Sequence, residues 1–133
     1  MKSKPLGRIL AALLLAAVGC SDGDDPTSPQ RGRLFVVRAG ADEFRMRVTD
    51  PETIRLAMEN LAGGNARHPH GPIAAGDGGF NSPWSWHFAP DSVRMVALSI
   101  EVCDGSPSYV EAHRADYLAS GYCPWGARVI AAE

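Results

Sequence analysis

The chain has 133 residues, 45% hydrophobic and 21% charged, a soluble-protein composition with room for one domain rather than two. Lys2, Lys4 and Arg8 precede position 20 and all 15 acidic side chains follow it, so removing the front end leaves 13 − 3 = 10 basic groups and a net charge of −5. Binding a phosphate backbone needs a basic surface, which excludes nucleic acid as a partner.

Residues 2–8 form a basic stretch and Ile9 to Val18 an apolar run. The run is too short for a bilayer core, which needs roughly 20 apolar residues, but it fits the middle of a secretory signal. Ala17-Val18-Gly19-Cys20 resembles a bacterial lipobox, with Ala17 where leucine is usual. The expectation is a signal peptide over 1–19 and a lipidated Cys20. Several acyl chains there give stable anchoring to a lipid bilayer. Ser21 rather than aspartate follows the cysteine, so the expected location is extracytoplasmic, at the outer membrane of a two-membrane host. Residues 21–32 (SDGDDPTSPQRG) hold no large apolar side chain and read as a flexible tether. The folded part is then a single domain over 33–133.

With Cys20 assigned to lipid, Cys103 and Cys123 remain in a compartment that permits oxidation. A disulfide is expected; two free thiols, or half of a metal site, are the alternatives.

Leu34–Val37 is β-branched and aromatic, and Phe44, Met46 and Val48 alternate with Arg45, Arg47 and Thr49, so a hairpin is predicted with one face inward. Arg38, Arg45 and Arg47 read as its wet face. Asp50-Pro51-Glu52 is a helix start, and Ile54, Ala57, Met58 and Leu61 recur at helical spacing until Gly63-Gly64. From Gly63 to Pro83 there is no periodicity, a length that marks a functional or mobile connection. A short aromatic strand is expected over Trp84–Phe88 and a longer one over Val93–Val102, with Val96, Leu98, Ile100 and Val102 facing the core. A second helix starts near Ser106-Pro107 or Ser108 (Ser108 and Glu111 have capping-box spacing) and runs to about Ala119. Ala127–Ala132 is the last strand. The order predicts an α+β fold: an antiparallel sheet of four to five strands with two helices on one face, ferredoxin-like or a variant of it. A helix of about 12 residues is roughly 18 Å long, whereas bridged cysteines need Cα atoms within about 7 Å. If Cys103 and Cys123 pair, residues 119–123 must therefore double back.

Three stretches are distinctive together: Gly78-Gly79-Phe80-Asn81 with Pro83-Trp84-Ser85-Trp86-His87; Ile100-Glu101-Val102-Cys103-Asp104-Gly105 with Pro107-Ser108-Tyr109-Val110-Glu111; and Tyr122-Cys123-Pro124-Trp125 with Ala127-Arg128-Val129. With Thr49-Asp50-Pro51 and Gly71-Pro72-Ile73 they resemble the N-terminal domain of the BP-seventy-four calmodulin-binding-protein family over essentially all of 33–133. The resemblance implies a small secreted or lipid-anchored domain and supports the domain limits, not a reaction.

The candidate chemistry is sparse. His87 with Asp104 or Glu111 could form an acid/base unit, with Trp84, Trp86 and Asp77 completing a possible binding site; the plainer reading is indoles in a core and a structural histidine. His68, His70 and Asp77 could approach a metal ion, but no carboxylate or third histidine sits at a diagnostic spacing, so no metal and no cofactor are expected. Gly76-Asp77-Gly78-Gly79 lacks the basic residue of a phosphate loop and the acidic ladder of a calcium loop. Ser85, Ser106 and Ser108 lack a nucleophile-elbow context. The expectation is a non-enzymatic, membrane-anchored binding module with a possible protein partner and 63–83 as its recognition surface. An inhibitor of extracellular hydrolases and a small metal-dependent enzyme are the alternatives.

Overall fold

Arg33–Ala39 (β1) and Asp42–Val48 (β2) pair antiparallel from Arg33↔Val48 to Ala39↔Asp42, as their period-two pattern predicts. The computed structural model describes residues 32–133; the expected leader, Cys20 and all but the last residue of the tether lie outside the described residues. Phe35, Val37 and Ala39 join Phe44, Met46 and Val48 on the buried face. The opposite face carries the arginines: Arg38 pairs with Glu43, Arg45 with Glu133, and Arg47 lies over the Phe80 ring.

Pro51–Leu61 (α1) starts as predicted, with the Asp50 carboxylate accepting from the Thr53 N–H and hydroxyl at 2.9 and 2.7 Å. Its fully buried stripe is Thr53, Ala57 and Asn60, flanked by half-buried Ile54, Met58 and Leu61. The inward line is thus partly polar, and Asn60 is why. Its Nδ2 donates to the Asn65 and Arg67 carbonyls, and its Oδ1 accepts from the Val129 N–H. One amide ties the helix to the following loop and to Arg128–Ala132 (β7), the strand on the far side of β1.

The α+β fold is present, with its strands divided among three small antiparallel sheets rather than joined in one. β1 is central in a sheet of order β2-β1-β7. His68–His70 (β3) pairs with Arg94–Val96 (β6), and Ile73–Ala75 (β4) with Trp86–Phe88 (β5). These four strands are three residues each. Pro69 and Pro72 supply no ladder N–H, and the loop before β3 is committed to Asn60.

The predicted long strand over 93–102 is therefore cut short, because β3 offers no partner beyond His68↔Val96. Its expected facing fails as well, and Glu101–Cys103 ends the run as a 3-10 turn. Val93 and Met95 are buried, whereas Leu98, Ile100 and Val102 are 87, 65 and 66% exposed. Alternation identifies two faces; it does not say which is wet when both carry apolar residues.

The second predicted helix is two, Pro107–Ala112 (α2) and Arg114–Ser120 (α3), broken at His113. Ser106 caps α2 through the Tyr109 N–H, while Ser108 bonds the Asp42 carboxylate. Tyr117 on α3 reaches back to donate to the Asp104 carbonyl. The chain thus doubles back as the cysteine pairing requires. Cys103 and Cys123 form a disulfide with Cα atoms 5.0 Å apart.

Candidate functional site

The residues singled out by sequence divide into two places. Around β5, Trp86 is fully buried beside Phe44, Phe88 and Tyr122, and Trp84 stacks on it at 6.3 Å while donating to the Glu43 carbonyl. Asn81, also fully buried, accepts from the Arg45 N–H and donates to the Trp86 carbonyl, which stitches the preceding loop to the edge of β2. Asp77 closes a turn by accepting from the Gly79 N–H. The His87 ring contacts the Gly76 carbonyl through Nδ1 and Phe80 edge-on. Glu111 accepts from the Ser85 hydroxyl and N–H at 2.6 and 3.0 Å, and Arg114 donates to the same hydroxyl. Those bonds, the hydroxyl first, hold the Glu111 carboxyl below its ordinary range. Each group is spent on joining loop to helix or turn. The segment 63–83 is pinned at His68, Pro69, Gly71, Ile73 and Asn81, which are buried, while Gly63, Gly64, Pro72, Ala75, Gly76, Gly78 and Gly79 are exposed.

Asp104 lies in the other place, at the turn end of the β1–β2 hairpin. Its Oδ1 accepts from the Gly105 and Trp125 N–H groups, both at 2.8 Å. Among the described residues it shares no hydrogen bond with His87 or Glu111. Trp125 belongs here as well. Its indole N–H donates to the Ser99 hydroxyl at 2.9 Å, and that oxygen lies 2.5 Å from Nε2 of His68. Because the indole only donates, the Ser99 proton is free to point at His68, which suits a neutral imidazole. Burial, then neighbouring His70, lowers the His68 pKa. Among the described residues no group of three or more His, Cys, Asp or Glu side chains is placed to hold a metal ion.

Here the exposed apolar side chains collect. A recess of about 260 Å³ lies between Ala66, His68, Leu98, Ser99 and Trp125. An open groove of about 500 Å³ follows, lined by Glu101, Val102, Asp104, Tyr109 and Tyr117. Trp125 and Tyr109 are 44 and 52% exposed. Burial among aromatic neighbours raises the pKa of Tyr117 and of Tyr122, and both hydroxyls stay protonated donors to the Asp104 and Gly105 carbonyls. The main chain beneath the groove is thereby fixed, and the Cys103–Cys123 bridge fixes it again.

The family model of the BP-seventy-four N-terminal domain matches residues 32–133. This chain belongs to that family. No curated protein and no solved structure matches it. In this BP-seventy-four N-terminal domain, Ser99, Leu98, Ile100 and Val102 are the surface residues that sequence reasoning missed. Their signal was present but read inward: a period-two apolar run longer than any strand available to pair with it.

Proposed function

We propose that this chain is a lipid-anchored, extracytoplasmic binding module, held to the outer membrane through an acylated Cys20, whose working surface is the Leu98–Val102 run with Trp125 and Tyr109. Three apolar side chains at 65% exposure or more in one five-residue stretch carry the reading; a contiguous apolar patch costs solubility and marks an interaction site. The order of basic, apolar and small residues before Cys20 supports the address, and the disulfide fits an oxidising compartment. Binding rather than catalysis is favoured because His87, Glu111 and Asp104 are engaged in separate hydrogen-bond sets.

The test has two arms in the native host. Intact mass of the membrane-extracted protein should show cleavage before Cys20 and an acyl adduct; an uncleaved, unacylated start rejects the address. A photo-cross-linking side chain at Leu98 should give one discrete adduct, and the same group at Glu52 none. Equal labelling from both positions rejects the face.

A further inference from the structure

We propose that the Leu98–Ile100 stretch of the Leu98–Val102 run receives an extended segment of a partner protein, paired main chain to main chain, with apolar side chains alternating with lysine or arginine. This rests on the reading of that run as the working surface.

The first ground is the backbone. Beyond Val96 the chain leaves β3 and stays open as far as Ile100, at φ −82° and ψ 156°, before Glu101–Cys103 closes into a 3-10 turn. Among the described residues, none of the N–H groups from Leu98 to Ile100 donates to a main-chain carbonyl. Ser99 turns inward to His68 and Trp125, and Leu98 and Ile100 turn outward. A short open edge with unspent donors and alternating outward side chains is what an added strand pairs with, and three residues is the length of β3 to β6 here.

Charge supplies the second. The groove continuing from this edge is lined by Glu101 and Asp104 with two tyrosines and no cationic side chain. A basic group is drawn there by both carboxylates and the exposed Tyr109 face, while the recess beside Leu98 and Trp125 takes an apolar one. Two copies of this chain pairing through the run would bring their Glu101 and Asp104 carboxylates together, which disfavours a second copy as occupant.

Position is the third. The recess lined by Ala39, Gly40, Asp104 and Trp125 puts this face at the turn end of β1. The tether joins at Arg33, the other end of that strand, about 20 Å away at the usual rise per residue. That separation favours a partner beyond the domain over the anchoring bilayer.

The experiment uses the full chain in detergent and labelled, end-blocked octapeptides alternating valine with lysine, or valine with glutamate. Anisotropy should show the lysine peptide binding at least tenfold tighter, and amide exchange at 98–100 should slow on binding. Ile100→Asp should weaken binding at least tenfold with an unchanged melting temperature. Glu101→Lys should cancel or reverse the preference. Alternate N-methylation of the lysine peptide should remove binding. Equal affinity for the two peptides, or a preference indifferent to Ile100→Asp and Glu101→Lys, overturns the proposal, the latter as simple attraction to an acidic chain. So does undiminished binding of the N-methylated peptide, or a dimer that Ile100→Asp dissolves. If the Leu98 cross-link persists while the peptides fail, the partner chemistry is wrong and the surface stands; if the cross-link fails too, both fall.

Discussion

Trp125 and Ser99, 26 residues apart, are joined by an indole N–H to hydroxyl hydrogen bond of 2.9 Å. This bond and the Ser99–His68 contact hold the run after β6 where no strand does. Trp125→Phe removes the donor and keeps most of the ring. Exchange of the amides at 98–102 should accelerate in hydrogen-exchange mass spectrometry. Overall stability should change by about 1 kcal/mol or less, as for a single partly exposed hydrogen bond. Unchanged exchange would show that the bond does not order the run.

The Cys103–Cys123 bridge closes a loop with a sequence separation of 20. Chain entropy assigns such a loop about 3 kcal/mol. For a domain of this size that corresponds to a fall of roughly 12–24 °C in melting temperature. Dithiothreitol and Cys103→Ser should both produce it in calorimetry. A curve indifferent to reduction would mean that α3 and the aromatic core alone hold the chain end in place.

Acidification should act through His68. Its folded pKa is lowered by burial, so the unfolded chain takes up the proton first. The contribution is complete above the ordinary histidine value of about 6.5 and is lost as pH falls through it towards the lowered folded value. Between pH 7.5 and 5.5 the melting temperature of the natural protein should fall more than that of His68→Gln. Parallel curves for the two proteins would assign the acid sensitivity elsewhere.

Asn60 should be among the costliest single positions. Asn60→Ala leaves the buried Val129 N–H without its acceptor and two loop carbonyls without their donor. A loss of about 3 kcal/mol is expected, measured by urea denaturation. Asn60→Asp restores the acceptor but sets a carboxylate against carbonyls, and should rescue little. Leu98→Ala, at an exposed position, should stay within about 0.5 kcal/mol.

Local chemistry was legible in the amino-acid order. The β1–β2 hairpin followed from strict alternation, the α1 start from Asp50-Pro51, and the inward indole of Trp86 from its place on a short aromatic strand. Each depends on neighbours within a few positions, so the chain carries the information directly. The cysteine pairing was legible too, because only two cysteines remained once Cys20 was set aside.

Tertiary structure alone decided the rest. Asn60 and Asn81 are ordinary polar residues in sequence, and only partners 69 and 36 positions away make them the pins of α1 and of the β2 edge. The run from Leu98 to Val102 has the pattern of a core strand, yet it lies in water because β3 ends at His68, its preceding residues already bonded to Asn60. A strand is buried by what pairs with it and covers it, and those are properties of distant segments. The order of residues states which side chains share a face; the folded chain determines which face meets solvent.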